Sequence, residues 1–255
     1  MVNRALTTRP AGYGVLRPLR PPAFLLRSLL RVPALDAAAG LDTPADALLF
    51  DLAEERGARA ERVVEALRSA PRSHGRPALL VRVARPDDGG AADLAALVAS
   101  RPDAVVATGA ESGADIEHLG AVLAVEEAKA GLDNGATGIV AIVETAGALF
   151  ALNAFARASR RVIAIGWDGE ALARDLGGEI PREPDGRWID PCQTARTLTL
   201  AAAADAKLPA LDSPFSTPDL DAFRREAERA RRDGFAGKIA LDARQAAILN
   251  EAFGG

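Results

Sequence analysis

One cysteine, two histidines and a 4% aromatic fraction are all that 255 residues hold of several side chains that usually carry chemistry. A lone Cys192 excludes an intrachain disulfide framework, and its place after Pro191 in an expected loop reads as an incidental small residue. His74 lies in the polar stretch Arg72-Ser-His-Gly-Arg76, and His118 falls on the polar face of a helical pattern. Imidazoles placed so give no Ser-His-Asp or Cys-His relay and no histidine-based zinc site. No Gly-x-Gly-x-x-Gly follows the first strand and no Walker A loop occurs, so a nucleotide-binding sheet lacks its main signature. No apolar run approaches the roughly 20 residues that span a bilayer, so no membrane segment is expected. The net charge is −4, which gives a nucleic-acid face no electrostatic support. Acids are also missing from the start of the chain. Arg4, Arg9, Arg17, Arg20 and Arg27 all precede the first one, Asp36, among Pro10, Pro18, Pro21 and Pro22. With no apolar segment leading to a cleavage site, a secretory signal is not expected there. Residues 1–26 read as a basic, proline-rich arm suited to subunit contacts, and the default location is cytoplasmic.

What the chain has in quantity is short aliphatic runs. The central one is Ile139-Val-Ala-Ile-Val-Glu144-Thr-Ala146, bounded by Gly138 and Gly147. A continuous apolar run of that length predicts a strand buried on both faces. Similar runs predict strands over 27–33, 47–52, 78–83, 103–107, 161–167, 208–212 and 237–241. Between them, helical spacing is expected over 35–41, 56–69, 93–100, 112–129, 148–158, 169–176, 195–206, 218–232 and 244–253. Eight strands alternating with helices in about 250 residues match a (β/α)8 TIM barrel, here over residues 27–255. A doubly wound open sheet is the alternative, since the seventh and eighth strands are weak.

A barrel draws its chemistry from the carboxyl ends of its strands. Those ends supply Asp51, Arg82, Thr108, Glu144, Asp168 and Asp212. Carboxylates around one guanidinium suit a Mg²⁺ ion with a carboxylate ligand. Hard divalent ions take oxygen donors, and the planar Arg fork grips a carboxylate through two bonds. Structural readings stay open beside this one: Asp51 capping the next segment, Arg82 in a structural ion pair, Asp168 opening a helix.

With the strands in place, the chain resembles the citrate lyase beta-subunit-like branch of the HpcH/HpaI aldolases, the barrel family that includes malyl-CoA lyases. Arg27-Ser-Leu-Leu-Arg-Val-Pro33 is similar to its opening strand, and Ala47-Leu-Leu-Phe-Asp51-Leu52 to the strand before its Asp-Leu-Glu-Asp motif. Val81-Arg82-Val83 resembles its substrate-arginine strand. Pro102-Asp-Ala-Val-Val with Glu111-Ser112 resembles its fourth strand and turn. Ile142-Val-Glu144-Thr-Ala146 resembles its metal-glutamate strand, while Asp175-Leu-Gly-Gly and Gly234-Phe-Ala-Gly-Lys238 resemble later landmarks. The resemblance implies a Mg²⁺-dependent carbon–carbon lyase acting on a small carboxylate or acyl-CoA, and a homo-oligomer, trimeric or hexameric. It makes Glu144 a metal ligand and Arg82 the substrate clamp.

Several family positions differ. The acidic motif reads Asp51-Leu-Ala53-Glu54, Ala171 stands at the second metal-ligand position, and Ala84, Thr108-Gly109 and Ala240-Leu241-Asp242 replace other polar or shaping groups. The expected site is therefore Asp51 and Arg82 as catalytic residues, with Arg82, Thr108, Glu144 and Asp212 on the substrate. Glu144 and Asp168 are the expected metal ligands, substrate oxygens completing the shell. The rival expectation is a catalytically degenerate barrel that binds a ligand or scaffolds an active paralogue.

Overall fold

The computed structural model describes residues 24–33, 43–53, 58–71, 75–85 and 91–254. Its eight strands are β1 (Ser28–Val32), β2 (Ala47–Asp51), β3 (Ala78–Val83), β4 (Ala104–Ala107), β5 (Gly138–Val143), β6 (Val162–Trp167), β7 (Ala210–Asp212) and β8 (Gly237–Ala240). Each pairs in parallel with the next, and β8 closes back on β1. The barrel expectation is met, and the open doubly wound sheet is excluded by that closure.

The helices outside it are α1 (Ala58–Ser69), α2 (Ala91–Ala99), α3 (Gly113–Lys129), α4 (Ala146–Phe150), α5 (Leu152–Phe155), α6 (Gly169–Asp175), α7 (Asp190–Ala206), α8 (Leu220–Asp233) and α9 (Ala243–Phe253). The expected helix over 35–41, His74, Glu54 and residues 1–23 of the basic arm lie outside the described residues.

The continuous aliphatic runs separate into two cores because successive side chains of a strand point to opposite faces. Leu29, Ala47, Leu49, Ala78, Leu80, Ala104, Val106, Val140, Ile142, Leu211 and Ile239 pack together inside the barrel. Their alternate neighbours, among them Leu30, Leu48, Phe50, Leu79, Val81, Val105, Ile139, Ala141 and Ile165, pack outward under the helices. Leu26 joins the inner cluster, so the barrel's core begins within the span read as arm. Closure is tight there: a Cβ on Gly237 would lie 1.7 Å from the Leu26 carbonyl oxygen. Only glycine lets β8 run that close to the entering chain.

Two expected helices differ. The one expected over 148–158 is two short helices, α4 and α5, joined at Ala151, whose φ of −96° and ψ of 8° leave helical geometry. That joint turns Phe150 out to solvent and Leu152 and Phe155 into the core. Helix α7 starts at Asp190 rather than 195, with Pro191 in its first turn, where the missing N–H costs nothing. Cys192 thus lies in a helix, buried, with its Sγ 3.5 Å from the Gly169 carbonyl; burial pushes the thiol pKa up, as suits an inert side chain.

Helix α3 shows how firmly one element is specified locally. Ser112 accepts from the Asp115 N–H, and the Asp115 carboxylate accepts from the Ser112 N–H, a reciprocal capping box. Ser112→Ala should cost about 1 kcal/mol, read as a fall of roughly 2–4 °C in melting temperature. An unchanged melting curve would show that the cap is redundant.

Candidate functional site

Following each inward face past the last aliphatic layer leads to the barrel mouth. Two residues beyond Leu29, Leu49, Leu80, Val106 and Ile142 stand Arg31, Asp51, Arg82, Thr108 and Glu144. The alternation of the strands therefore delivers five polar side chains to one place. Arg82 is their hub. Its Nη1 donates to Asp51 Oδ2 at 3.1 Å, and its Nη2 to Glu144 Oε1 at 2.7 Å and Thr108 Oγ1 at 2.9 Å. The second Glu144 oxygen, Oε2, accepts from the Thr108 hydroxyl and from the Gly109 N–H at 3.0 Å. Arg31 Nη2 donates to Asp51 Oδ2, the oxygen that Arg82 also uses. Asp51 Oδ1 accepts from the Ala53 N–H at 3.2 Å.

The mouth is thus a chain of alternating charge, Arg31–Asp51–Arg82–Glu144. Burial alone would lower the Arg82 pKa, but the Glu144 and Asp51 carboxylates beside it outweigh that and raise it. Arg82 is a permanent cation there. Glu144 is 6% exposed, so it is no solvated loop acid.

Asp168 completes the ring from β6. Its Oδ1 caps α6, accepting from Glu170 and Ala171 N–H at 3.1 and 3.0 Å, so the helix-opening reading of this residue holds. The same residue lines a small cavity with Arg31, Arg82, Glu144 and Pro214, floored by Leu49, Val106, Ile142 and Ile239. That cavity holds about 20 Å³, room for about one water.

Among the described residues no group of three or more His, Cys, Asp or Glu side chains could hold a metal ion. Two carboxylates, Glu144 and Asp168, do share the cavity. Magnesium is commonly held by one or two carboxylates, with water and substrate oxygens making up the shell. The pair fits that mode and no richer one. Ala171, the second ligand position by resemblance, contributes only its N–H to Asp168.

Asp212 requires a correction. It follows inward Leu211 by one residue, so it points outward, fully buried behind the barrel. Trp167 Nε1 and Arg196 Nε donate to its Oδ1 at 2.8 and 3.1 Å, and Lys238 Nζ lies 3.2 Å from Oδ2. Its oxygens are used in holding β7, β8 and α7 together, and it does not line the mouth cavity. Two mouth groups escaped sequence reasoning: Arg31, whose parity with Leu29 could have revealed it, and the Gly109 N–H, which no side-chain pattern reports. His118 is exposed on α3 and does not line the mouth cavity.

Comparison with known proteins gives a family match and the same barrel fold. The family model described as HpcH/HpaI aldolase/citrate lyase matches residues 29–243. The chain is 29% identical over 235 residues to citrate lyase subunit beta of Escherichia coli K12, covering 89% of this chain and 76% of that one. The Leuconostoc mesenteroides citrate lyase subunit beta is 28% identical over 239 residues, covering 90% and 77%. Among solved structures, a Mycobacterium tuberculosis citrate lyase beta subunit complexed with oxaloacetate and magnesium superposes with a TM-score of 0.73. It is 26% identical and covers 90% of this chain and 97% of that one. M. tuberculosis CitE in complex with magnesium, acetoacetate and coenzyme A gives 0.74 at 26% identity, covering 91% and 82%.

Proposed function

We propose, from the premise that the chain belongs to the HpcH/HpaI aldolase/citrate lyase family, that its barrel mouth cleaves or forms a carbon–carbon bond in a small oxo-acid or acyl-CoA carboxylate with Mg²⁺. The observation that carries this reading is the direct pairing of Arg82 with Glu144 across the mouth, at the ends of β3 and β5, with Asp168 on the same cavity. Arg82 grips the substrate carboxylate, exchanging its bond to Glu144 for a ligand oxygen. Asp51 and Thr108 hold the Arg82 side chain in line during that exchange. Glu144 and Asp168 would hold the metal, substrate oxygens completing its shell. When bound, Mg²⁺ supplies Lewis-acid polarisation of the oxo or hydroxyl oxygen and offsets negative charge developing there.

A second reading, a degenerate barrel that binds a ligand without turning it over, draws on one observation. Both oxygens of Glu144 are already satisfied by Arg82, Thr108 and Gly109.

Thermal-shift titration with Mg²⁺, oxaloacetate, pyruvate and acetyl-CoA, singly and in pairs, separates the two. A ligand binding only the folded state stabilises it by about 2.7 kcal/mol at roughly 100 times its Kd. The lyase reading expects a rise of several degrees only when Mg²⁺ and an oxo acid are present together, abolished in Glu144→Gln and Asp168→Asn. A rise with acetyl-CoA that ignores Mg²⁺ supports the binding protein instead. Unchanged metal binding by calorimetry in both variants would remove Glu144 and Asp168 from the ligand set.

A further inference from the structure

We propose that Arg31 is a second acid-reading arm of the mouth, so that the site selects short dicarboxylates over monocarboxylates. This rests on the mouth being the ligand site, as proposed above, and adds which ligands it prefers.

Arg31 reaches the mouth from β1 by the same inward parity that brings Arg82 from β3. Both line the cavity that also holds Glu144 and Asp168. Among the described residues its hydrogen bonding ends on one oxygen, Asp51 Oδ2, which it shares with Arg82 Nη1. Two guanidinium nitrogens on one oxygen must stand close to each other. The two carboxylates of a three- or four-carbon diacid are separated by a comparable span. A guanidinium presents five N–H donors in a fixed fork, and among the described residues Arg31 spends one of its five on Asp51. The Arg31 side chain is 44% exposed, against 17% for Arg82. Arg82 is thus the set inner clamp, and Arg31 the outer arm open to an arriving ligand.

Charge in the mouth is also divided by side. On β1 to β3, one carboxylate, Asp51, serves two guanidiniums, while the carboxylates Glu144 and Asp168 lie on the β5 and β6 side. A ligand with two acid groups places both toward β1 and β3 and leaves its oxo oxygen toward the acidic side. With a single acid group it engages Arg82 and leaves Arg31 on Asp51. Arg31 touches ligand only through the second acid group, so it sets specificity without being needed for monoacids.

The experiment compares oxaloacetate with pyruvate, which share a carboxylate and an oxo group and differ in the second carboxylate. Both are titrated calorimetrically in saturating Mg²⁺ into the full chain and into Arg31→Met and Arg31→Lys. Expected is a preference for oxaloacetate of about tenfold or more in the natural chain, erased in Arg31→Met and partly restored in Arg31→Lys. Pyruvate affinity should fall far less than oxaloacetate affinity in Arg31→Met, and far-UV circular dichroism shows that the variants fold. A preference that survives Arg31→Met, or a natural chain that binds both acids equally, overturns the assignment while leaving the proposed function standing. Failure of both acids to bind the natural chain overturns the proposed function, and this inference with it.

Discussion

Replacing Lys238 with methionine is expected to lower the melting temperature by roughly 10 °C, from a loss of about 3–5 kcal/mol. Lys238 is fully buried. Its ammonium donates to the Ser213 carbonyl and lies 3.2 Å from Asp212 Oδ2 and 2.7 Å from Glu226 Oε1. Glu226 in turn holds Arg182 at 2.7 and 3.1 Å, and Arg196 spans Asp212 and Asp233 at 3.1 and 2.6 Å. Arg182 is itself stacked on the Trp188 and Phe215 rings, 3.6 and 3.9 Å from their centroids. One connected set of charges therefore ties β7, β8, α7 and α8 to the segment carrying Arg182. Removing its cation leaves two carboxylates short of a partner where water cannot replace it.

The pH dependence of that loss has a definite sign. Burial alone would raise the Asp212 pKa, but Lys238 and Arg196 hold it below the usual carboxylate value. Glu226 behaves alike, with burial outweighed by Lys238 and Arg182. A carboxylate depressed in the folded state contributes stability that is present above its unfolded pKa, about 4, and is lost as pH falls through the folded value. The gap in melting temperature between Lys238→Met and the natural chain should be widest near neutrality and narrow below about pH 4. Equal melting temperatures at neutral pH would show that the network contributes no net stability.

The same network explains what the sequence did and did not reveal. Runs such as residues 139–143 announce a strand because both faces meet apolar neighbours. In β7 and β8 the outward face carries Asp212 and Lys238, which cancel one another across 26 residues. Periodicity counts them as two polar interruptions, so those strands read as weak although they close the barrel. A similar blindness misplaced Asp212. Taking the last polar residue of each strand as a mouth residue ignores which face it occupies, and Leu211 had claimed the inward one. Counting two residues on from each inner aliphatic would have dropped Asp212 and added Arg31. Arg82 and Glu144 were legible because each follows a long run that fixes parity without ambiguity. Their contact with each other, and the Gly109 N–H on Glu144, depend on the barrel's closure and have no local signature.

Removing the hub of the mouth should move two affinities in opposite directions. In Arg82→Met, oxo-acid binding in the presence of Mg²⁺ should weaken about 100-fold, since truncating one partner of a desolvated charge pair costs about 2–5 kcal/mol. Mg²⁺ added alone should bind more tightly. The mouth now sets two guanidiniums, Arg31 and Arg82, against three carboxylates, Asp51, Glu144 and Asp168. Without Arg82, Glu144 Oε1 loses its counter-ion and the excess of negative charge grows, which favours a bare cation. Arg82→Lys keeps the charge but not the two-pronged geometry, so its Mg²⁺ affinity should stay near that of the natural chain while oxo-acid binding still falls. Calorimetric titration of each ligand into the natural chain and the two variants reads both effects, with far-UV circular dichroism reporting the fold. A parallel fall of both affinities in a folded Arg82→Met chain would mean that Arg82 and Glu144 do not compete for one site. Crossed responses would tie the guanidinium to the ligand carboxylate and Glu144 to the cation, the division of labour on which the proposed chemistry depends.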